Sequence, residues 1–386
     1  MSSAALLRAI RRLAIRRLAI SLILPSLLVF AGCGNGPKVC NATGCCGAGS
    51  DLCPPAQHLY ADGLNGQVTV FPVAGNGALG SPTSTTGPAM SLGMAVLNNQ
   101  FLYVSNTQLT VGGTSTIDAW SIQPGTGALA TVSGSPFSLG QFSLAGGLAA
   151  NNSASVLYVG DAGKIDALKA DSMGSLTPLP TSPSPAGTSL YLTVDLGNQF
   201  VFASDDAPPG NIFAFTIDST GALTAVPNSP FPIIPNFVGT TRPSEVVVDT
   251  TGSFVYVGLL GTGQVAAFSI VKPGGALNPV PGSPFSAGNG PIGLTTVNNF
   301  LYVANAMDGT ISGYSINPAN GVLSPLANSP FAIRGAAMTT DPGGRLFYVS
   351  GAGGIQVFAI DSTTGALTPL ASPTPYAGAT VLRFVR

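Results

Sequence analysis

The sequence predicts an all-β protein: seven four-stranded antiparallel blades in a ring, a β-propeller closed by a C-terminal strand that completes the first blade. Four observations predict it. Gly (50) and Pro (32) are abundant, only 8% of residues are charged, and Glu245 is the sole glutamate. Short bursts of Val, Ile, Thr, Phe and Tyr alternate with Gly/Pro/Asn/Ser clusters, which is strand-and-turn chemistry. A local pattern also recurs, as "TGALATVSGSPF" (126–137), "TGALTAVPNSPF" (220–231), "GGALNPVPGSPF" (274–285) and "NGVLSPLANSPF" (320–331), with frayed copies at 77–84, 174–185 and 364–376. Finally, an aromatic marker (Tyr60, Tyr103, Tyr158, Phe202, Tyr256, Tyr302, Tyr348) alternates with a glycine marker (Gly77, Gly127, Gly174, Gly221, Gly275, Gly321, Gly365). Each occurs seven times at a mean spacing of about 48 residues, the length of a propeller blade.

Each unit offers four strands in order. In the fifth they are "PSEVVVDTT", "SFVYVGLL", "QVAAFSIV" and "ALNPVPGSPF". "VDLGNQ", "VDTTGS" and "TDPGGR" read as hairpin turns between the first two strands, because Asp, Asn and Gly supply turn conformations. Gly-Ala-Leu opens the outermost strand and Ser-Pro-Phe ends it, where an edge tolerates Pro. Phe137, Phe231, Phe285 and Phe331 are expected to pack between blades. The repeat begins at a second strand, "QHLYADG", and finishes on a lone first strand, "GATVLRFVR" (378–386). Pairing the two closes the ring, with Val381, Leu382 and Phe384 holding the seam.

Residues 1–32 read as a signal peptide: Arg8, Arg11, Arg12, Arg16 and Arg17 precede an apolar stretch. "VFAGC" resembles a bacterial lipoprotein lipobox, which implies cleavage before Cys33, diacylglycerol on its thiol, and anchoring to the cell envelope, with Gly34 favouring the outer membrane or surface. Residues 33–56 form a Cys-rich tether. There Cys40, Cys45, Cys46 and Cys53 suit two disulfides in an exported protein, a metal knuckle being the alternative. Without its signal the chain is acidic, which argues against nucleic acid as a partner.

Residues 57–386 carry a resemblance to a known family. "LYVSN…TIDAWSIQPGTGALATVSGSPF" and "LYVANAMDGTISGYSINPANGVLSPLANSPF" are similar to the YVTN/lactonase-type seven-bladed propellers, grouped with the 6-phosphogluconolactonase-like proteins. The resemblance implies the fold. For members acting on lactones it also implies His, Arg and Glu or Asp side chains near the central channel, since ester opening needs a base for water and a cation or donor for the oxyanion.

His58, the only histidine, falls on the turn into the first complete strand and reads as a turn or surface residue. No Gly-x-Ser-x-Gly elbow appears. Arg242 and Glu245 in "TTRPSEVVVD", with Arg334 at the equivalent place in the seventh blade, form the catalytic candidate: a base with a cationic clamp, or an ion pair sealing the channel mouth. Asp161, Asp205, Asp206 and Asp308 suit turns better than a calcium loop. The apolar loop 230–243, "PFPIIPNFVGTTRP", offers Ile233, Ile234 and Phe237 as a binding surface, or packs over the mouth. A phosphorylated sugar lactone fits poorly with export and with the absence of a Lys/Arg cluster. The expectation is a monomeric envelope lipoprotein whose propeller binds a protein or glycan without catalysis, needing no metal or cofactor. The alternative is a lactone hydrolase at the channel mouth.

Overall fold

Seven antiparallel sheets make up the chain, six of them with their first strand innermost and their last at the rim, and one completed by the C-terminal strand. The computed structural model describes residues 57–63, 65–107, 114–140, 145–161, 163–205, 208–234, 241–351, 353–370, 372–376 and 379–385. The signal segment, Cys33 and the four tether cysteines lie outside them, as do Asp206 and Phe237.

The second to seventh blades run in order from the inner strands Met94–Leu97, Leu148–Asn151, Ser189–Val194, Pro243–Val248, Pro291–Val297 and Ala337–Thr340. The first blade is built from both ends of the chain. Its second strand, Gln57–Gly63, pairs on one side with Gln67–Val73 and on the other with the C-terminal strand Ala379–Val385. Val381 and Leu382 of that strand are buried, and the Phe384 ring packs 4.9 Å from that of Tyr348 in the seventh blade. The closure expected from the sequence is present, and it removes the free sheet edges that an open array would expose.

The two sequence markers bond to each other across the blade interfaces. The hydroxyl of the aromatic in one blade donates to the carbonyl of the marker glycine in the next: Tyr60 to Gly127 (2.6 Å), Tyr103 to Gly174 (2.8 Å), Tyr158 to Gly221 (2.7 Å), Tyr256 to Gly321 (2.9 Å) and Tyr302 to Gly365 (2.7 Å). Tyr348 to Gly77 (3.0 Å) closes the circle. These tyrosines are fully buried, so each bond satisfies two groups that water cannot reach. Phe202 fills the same place in the fourth blade without a hydroxyl. The glycines have φ between 66° and 91°, and a Cβ there would run into the residue two before the preceding marker, Phe101 at Gly174 or Phe254 at Gly321. Left-handed backbone and close approach together require glycine.

Ser-Pro-Phe departs from the simple reading. The outer strand is not continuous: in the second blade Leu129–Thr131 and Phe137–Ser138 each pair with the third strand, and the chain bulges between them. Ser135 fills the gap by accepting the Ala119 amide on its hydroxyl (2.9 Å). Ser182, Ser229, Ser283 and Ser329 do the same in the third to sixth blades, at 2.8–3.0 Å. Phe137, Phe231, Phe285 and Phe331 pack half-buried against clusters that join neighbouring blades. The inner hairpins are tied by aspartate: Asp195, Asp249 and Asp341 each accept two backbone amides four and five residues on, at 2.6–2.7 Å.

His58 corrects a sequence expectation. It is neither a turn nor a surface residue but lies within the second strand of the first blade, 3% exposed. It stands where the other blades place Phe101, Val156, Phe200, Phe254, Phe300 and Leu346, and its ring meets Gly127. Burial lowers its pKa, partly offset by a hydrogen bond to the Thr126 backbone.

Candidate functional site at the channel waist

The inner strands align by register with the buried aromatics behind them. Opposite those markers stand Arg383, Ala95, Ala149, Thr193, Val247, Thr295 and Thr339, in blade order. These seven positions share one depth in the channel. Two residues earlier along each inner strand lies a second level, Val381, Gly93, Gly147, Tyr191, Glu245, Gly293 and Ala337. The strands approach closely there. A Cβ on Gly93 would strike the backbone of Gly146 to Leu148, and one on Gly293 would strike Ala336 O.

Two cavities lined by described residues meet along the channel. On the side where outer strands feed into inner ones, the loop face, the cavity measures about 50 Å³. On the side of the inner hairpin turns, the hairpin face, it opens to about 440 Å³. Glu245, Arg383, Leu148, Leu192 and Met338 line both parts, and among the described residues no other charged side chain does. Glu245 and Arg383 therefore mark the waist.

Both charges are held. Glu245 Oε2 accepts the Leu294 amide from the sixth blade (2.9 Å). Arg383 donates from Nε to Met94 O in the second blade (3.0 Å) and from Nη1 to Leu382 O (2.9 Å). Burial pulls the Arg383 guanidinium below its ordinary value, and the negative charge of Glu245 pulls it back up. Arginine stays cationic under such conditions because its starting value is so high. The pair can take a proton on the carboxylate and stabilise an anion on the guanidinium within one enclosed space.

The structure does not bring Arg242 and Arg334 to this waist. Neither lines either part of the channel. Arg242 lies in the stretch before the fifth inner strand, its carbonyl accepting the Leu260 amide. Arg334 is exposed and lies against Gly309 in a turn of the sixth blade. The sequence does not single out Arg383, because its strand reads as closure; its place between Leu382 and Phe384 is the one local sign, and the register of that strand brings it to the ring. Ile233 is 3% exposed within the core between the fourth and fifth blades, and Ile234 packs against that core. Burial takes Ile233 out of the proposed contact surface.

The expected acidic turn residues are tied locally. Asp161 and Asp166 pair with Lys164 at 2.8 and 2.5 Å, Asp205 accepts from the Thr188 amide and hydroxyl, and Asp308 accepts from Asn289. Among the described residues no group of three or more His, Cys, Asp or Glu side chains is placed to hold a metal ion.

The sequence profile described as "Lactonase, 7-bladed beta-propeller" matches residues 107–292 and 286–384. The chain belongs to the lactonase seven-bladed β-propeller family. Among solved structures it is similar to a candidate 6-phosphogluconolactonase from Bacteroides fragilis (16% identity, TM-score 0.71, covering 87% of this chain and 100% of that one). It is also similar to the periplasmic gluconolactonase of Pseudomonas aeruginosa (20% identity, TM-score 0.67, 86% and 99%). Comparison with curated proteins gives no match. At these identities the structural likenesses establish the lactonase-type propeller fold, and the chemistry has to be argued from this channel.

Proposed function

We propose that this chain hydrolyses a lactone at the waist of its channel. The observation that carries the reading is that the only glutamate and the closing strand's arginine line both parts of one channel. Membership of the lactonase family supports this reading over the non-catalytic binding module. In the proposed reaction Glu245 takes a proton from water as its oxygen attacks the lactone carbonyl, and the Arg383 guanidinium stabilises the resulting oxyanion. Collapse breaks the ring C–O bond. The departing alkoxide recovers the proton from Glu245, leaving a hydroxy acid. A positioned base contributes about 10²–10⁴-fold, and an oxyanion donor about 10²–10³-fold.

The test is acid release from a panel of γ- and δ-lactones, followed by pH-stat with the full chain beside Glu245→Gln. Turnover that falls by about 10²-fold or more in the variant, with thermal stability retained, supports the assignment. Equal rates in both, or none in either, would sink it and return the channel to a binding role. The lipid anchor at Cys33 is part of the same proposal: the chain acts in the cell envelope on an exported substrate. Cys33→Ala should abolish incorporation of labelled fatty acid and release the protein from membranes. A labelled, sedimenting variant would refute the anchor.

A further inference from the structure

The ring at the depth of Arg383 is uneven in chemistry. The second and third blades contribute Ala95 and Ala149, whereas the fourth, sixth and seventh contribute Thr193, Thr295 and Thr339, all half-buried on the wall of the wide cavity. The hydroxyl of Thr193 approaches Val194 O at 3.5 Å, the outer limit of a hydrogen bond. One side of the ring is therefore small and apolar, and the other carries three hydroxyl groups beside one cation. The part of the loop side lined by described residues measures about 50 Å³. The hairpin side, at about 440 Å³, falls in the size range of small-molecule sites.

From this asymmetry we infer that Thr193, Thr295 and Thr339, on the hairpin side of Glu245 and Arg383, determine specificity by reading hydroxyl groups on a neutral, compact ring. Threonine suits the task because one hydroxyl both donates and accepts. Stacking of the ring's apolar edge on Ala95 and Ala149 complements it. A phosphate-bearing ligand fits less well, because among the described residues Arg383 is the sole cation of the cavity wall and already donates to two carbonyls. Thr193, Thr295 and Thr339 are specificity residues here, and no step of the reaction passes through them. The inference rests on the waist being the ligand site, as the lactone reading requires, but not on turnover.

Calorimetric titration of the full chain with two unreactive lactams tests it, one a polyhydroxylated δ-lactam and the other plain δ-valerolactam. The hydroxylated ring should bind at least about 10-fold more tightly. Each lost neutral hydrogen bond should weaken it about 5- to 10-fold in Thr193→Val, Thr295→Val and Thr339→Val, with δ-valerolactam unchanged. Thr250→Val, whose hydroxyl bonds Asn298 O away from the channel wall, should leave both affinities as they were. Equal binding of the two lactams, binding of neither, or indifference to the three threonines would overturn the inference. Binding that follows the threonines without turnover of any lactone would sink the hydrolase reading and leave this one standing. Turnover abolished in Glu245→Gln, with lactam binding indifferent to the threonines, would do the reverse.

Discussion

The first blade differs from the other six at three matched positions. Two residues before the marker it has His58, where the others have Phe, Val or Leu. Two residues after the marker it has Asp62, where the others have Ser105, Gly160, Ser204, Gly258, Ala304 and Ser350. On the inner strand opposite the marker it has Arg383, where the others have alanine, threonine or valine. The blade that closes the ring thus concentrates titratable groups in places that six copies keep neutral. Repetition preserves packing, and departures from it show where the scaffold has been put to another use or tolerates a local cost.

Converting each departure to the common pattern tests what it does. Arg383→Thr should have the largest effect, lowering kcat/KM for a turned-over lactone by about 10²–10³-fold while the closing strand still pairs, as far-UV and near-UV circular dichroism would report. Unchanged turnover would make Arg383 structural.

Asp62 should dominate the pH dependence of stability. It is fully buried, Ser91 Oγ donates to its Oδ2, and desolvation, aided by the charge of Asp118 and opposed by the Gly63 amide, pushes it up to about 8. The folded state holds a proton that the unfolded chain releases near pH 4, so this contribution is complete below about pH 4 and is lost as pH rises toward 8. Chemical denaturation across that window should show stability falling by up to about 1.4 kcal/mol per pH unit from this group. Asp62→Ser should flatten the fall, and an unaltered slope would assign it elsewhere.

The tyrosine latch gives a smaller effect with a built-in control. Tyr256→Phe leaves the Gly321 carbonyl unsatisfied at a buried site and should cost about 1–3 kcal/mol in urea denaturation. Phe202→Tyr places a hydroxyl where the fourth blade lacks one and should gain about 1 kcal/mol if it reaches Gly275 O. A loss there would mean the pocket is filled by the ring alone.

His58→Phe should have the least effect near neutral pH. Burial holds the imidazole neutral in the folded state, so His58 contributes stability above pH 6.5 that declines as pH falls through its lower folded value. The variant should match the wild type at pH 8 and exceed it at pH 5. Parallel stabilities at both would exclude this linkage.

Sequence by itself determined the blade count, the closing strand, the hairpin turns and the alternating markers. Each is a local pattern repeated at a fixed spacing, and strand chemistry is set by neighbours a few residues away. Tertiary structure alone decided which of those residues meet. Register brought Tyr60 behind Arg383, and ring closure set Arg383 at the waist with Glu245 although 138 residues separate them. The same closure buried His58 and Asp62 in the seam and left Arg242 and Arg334 off the channel wall. A repeat says what one blade looks like. What lies across a channel depends on seven blades closing together, and only the folded ring carries that information.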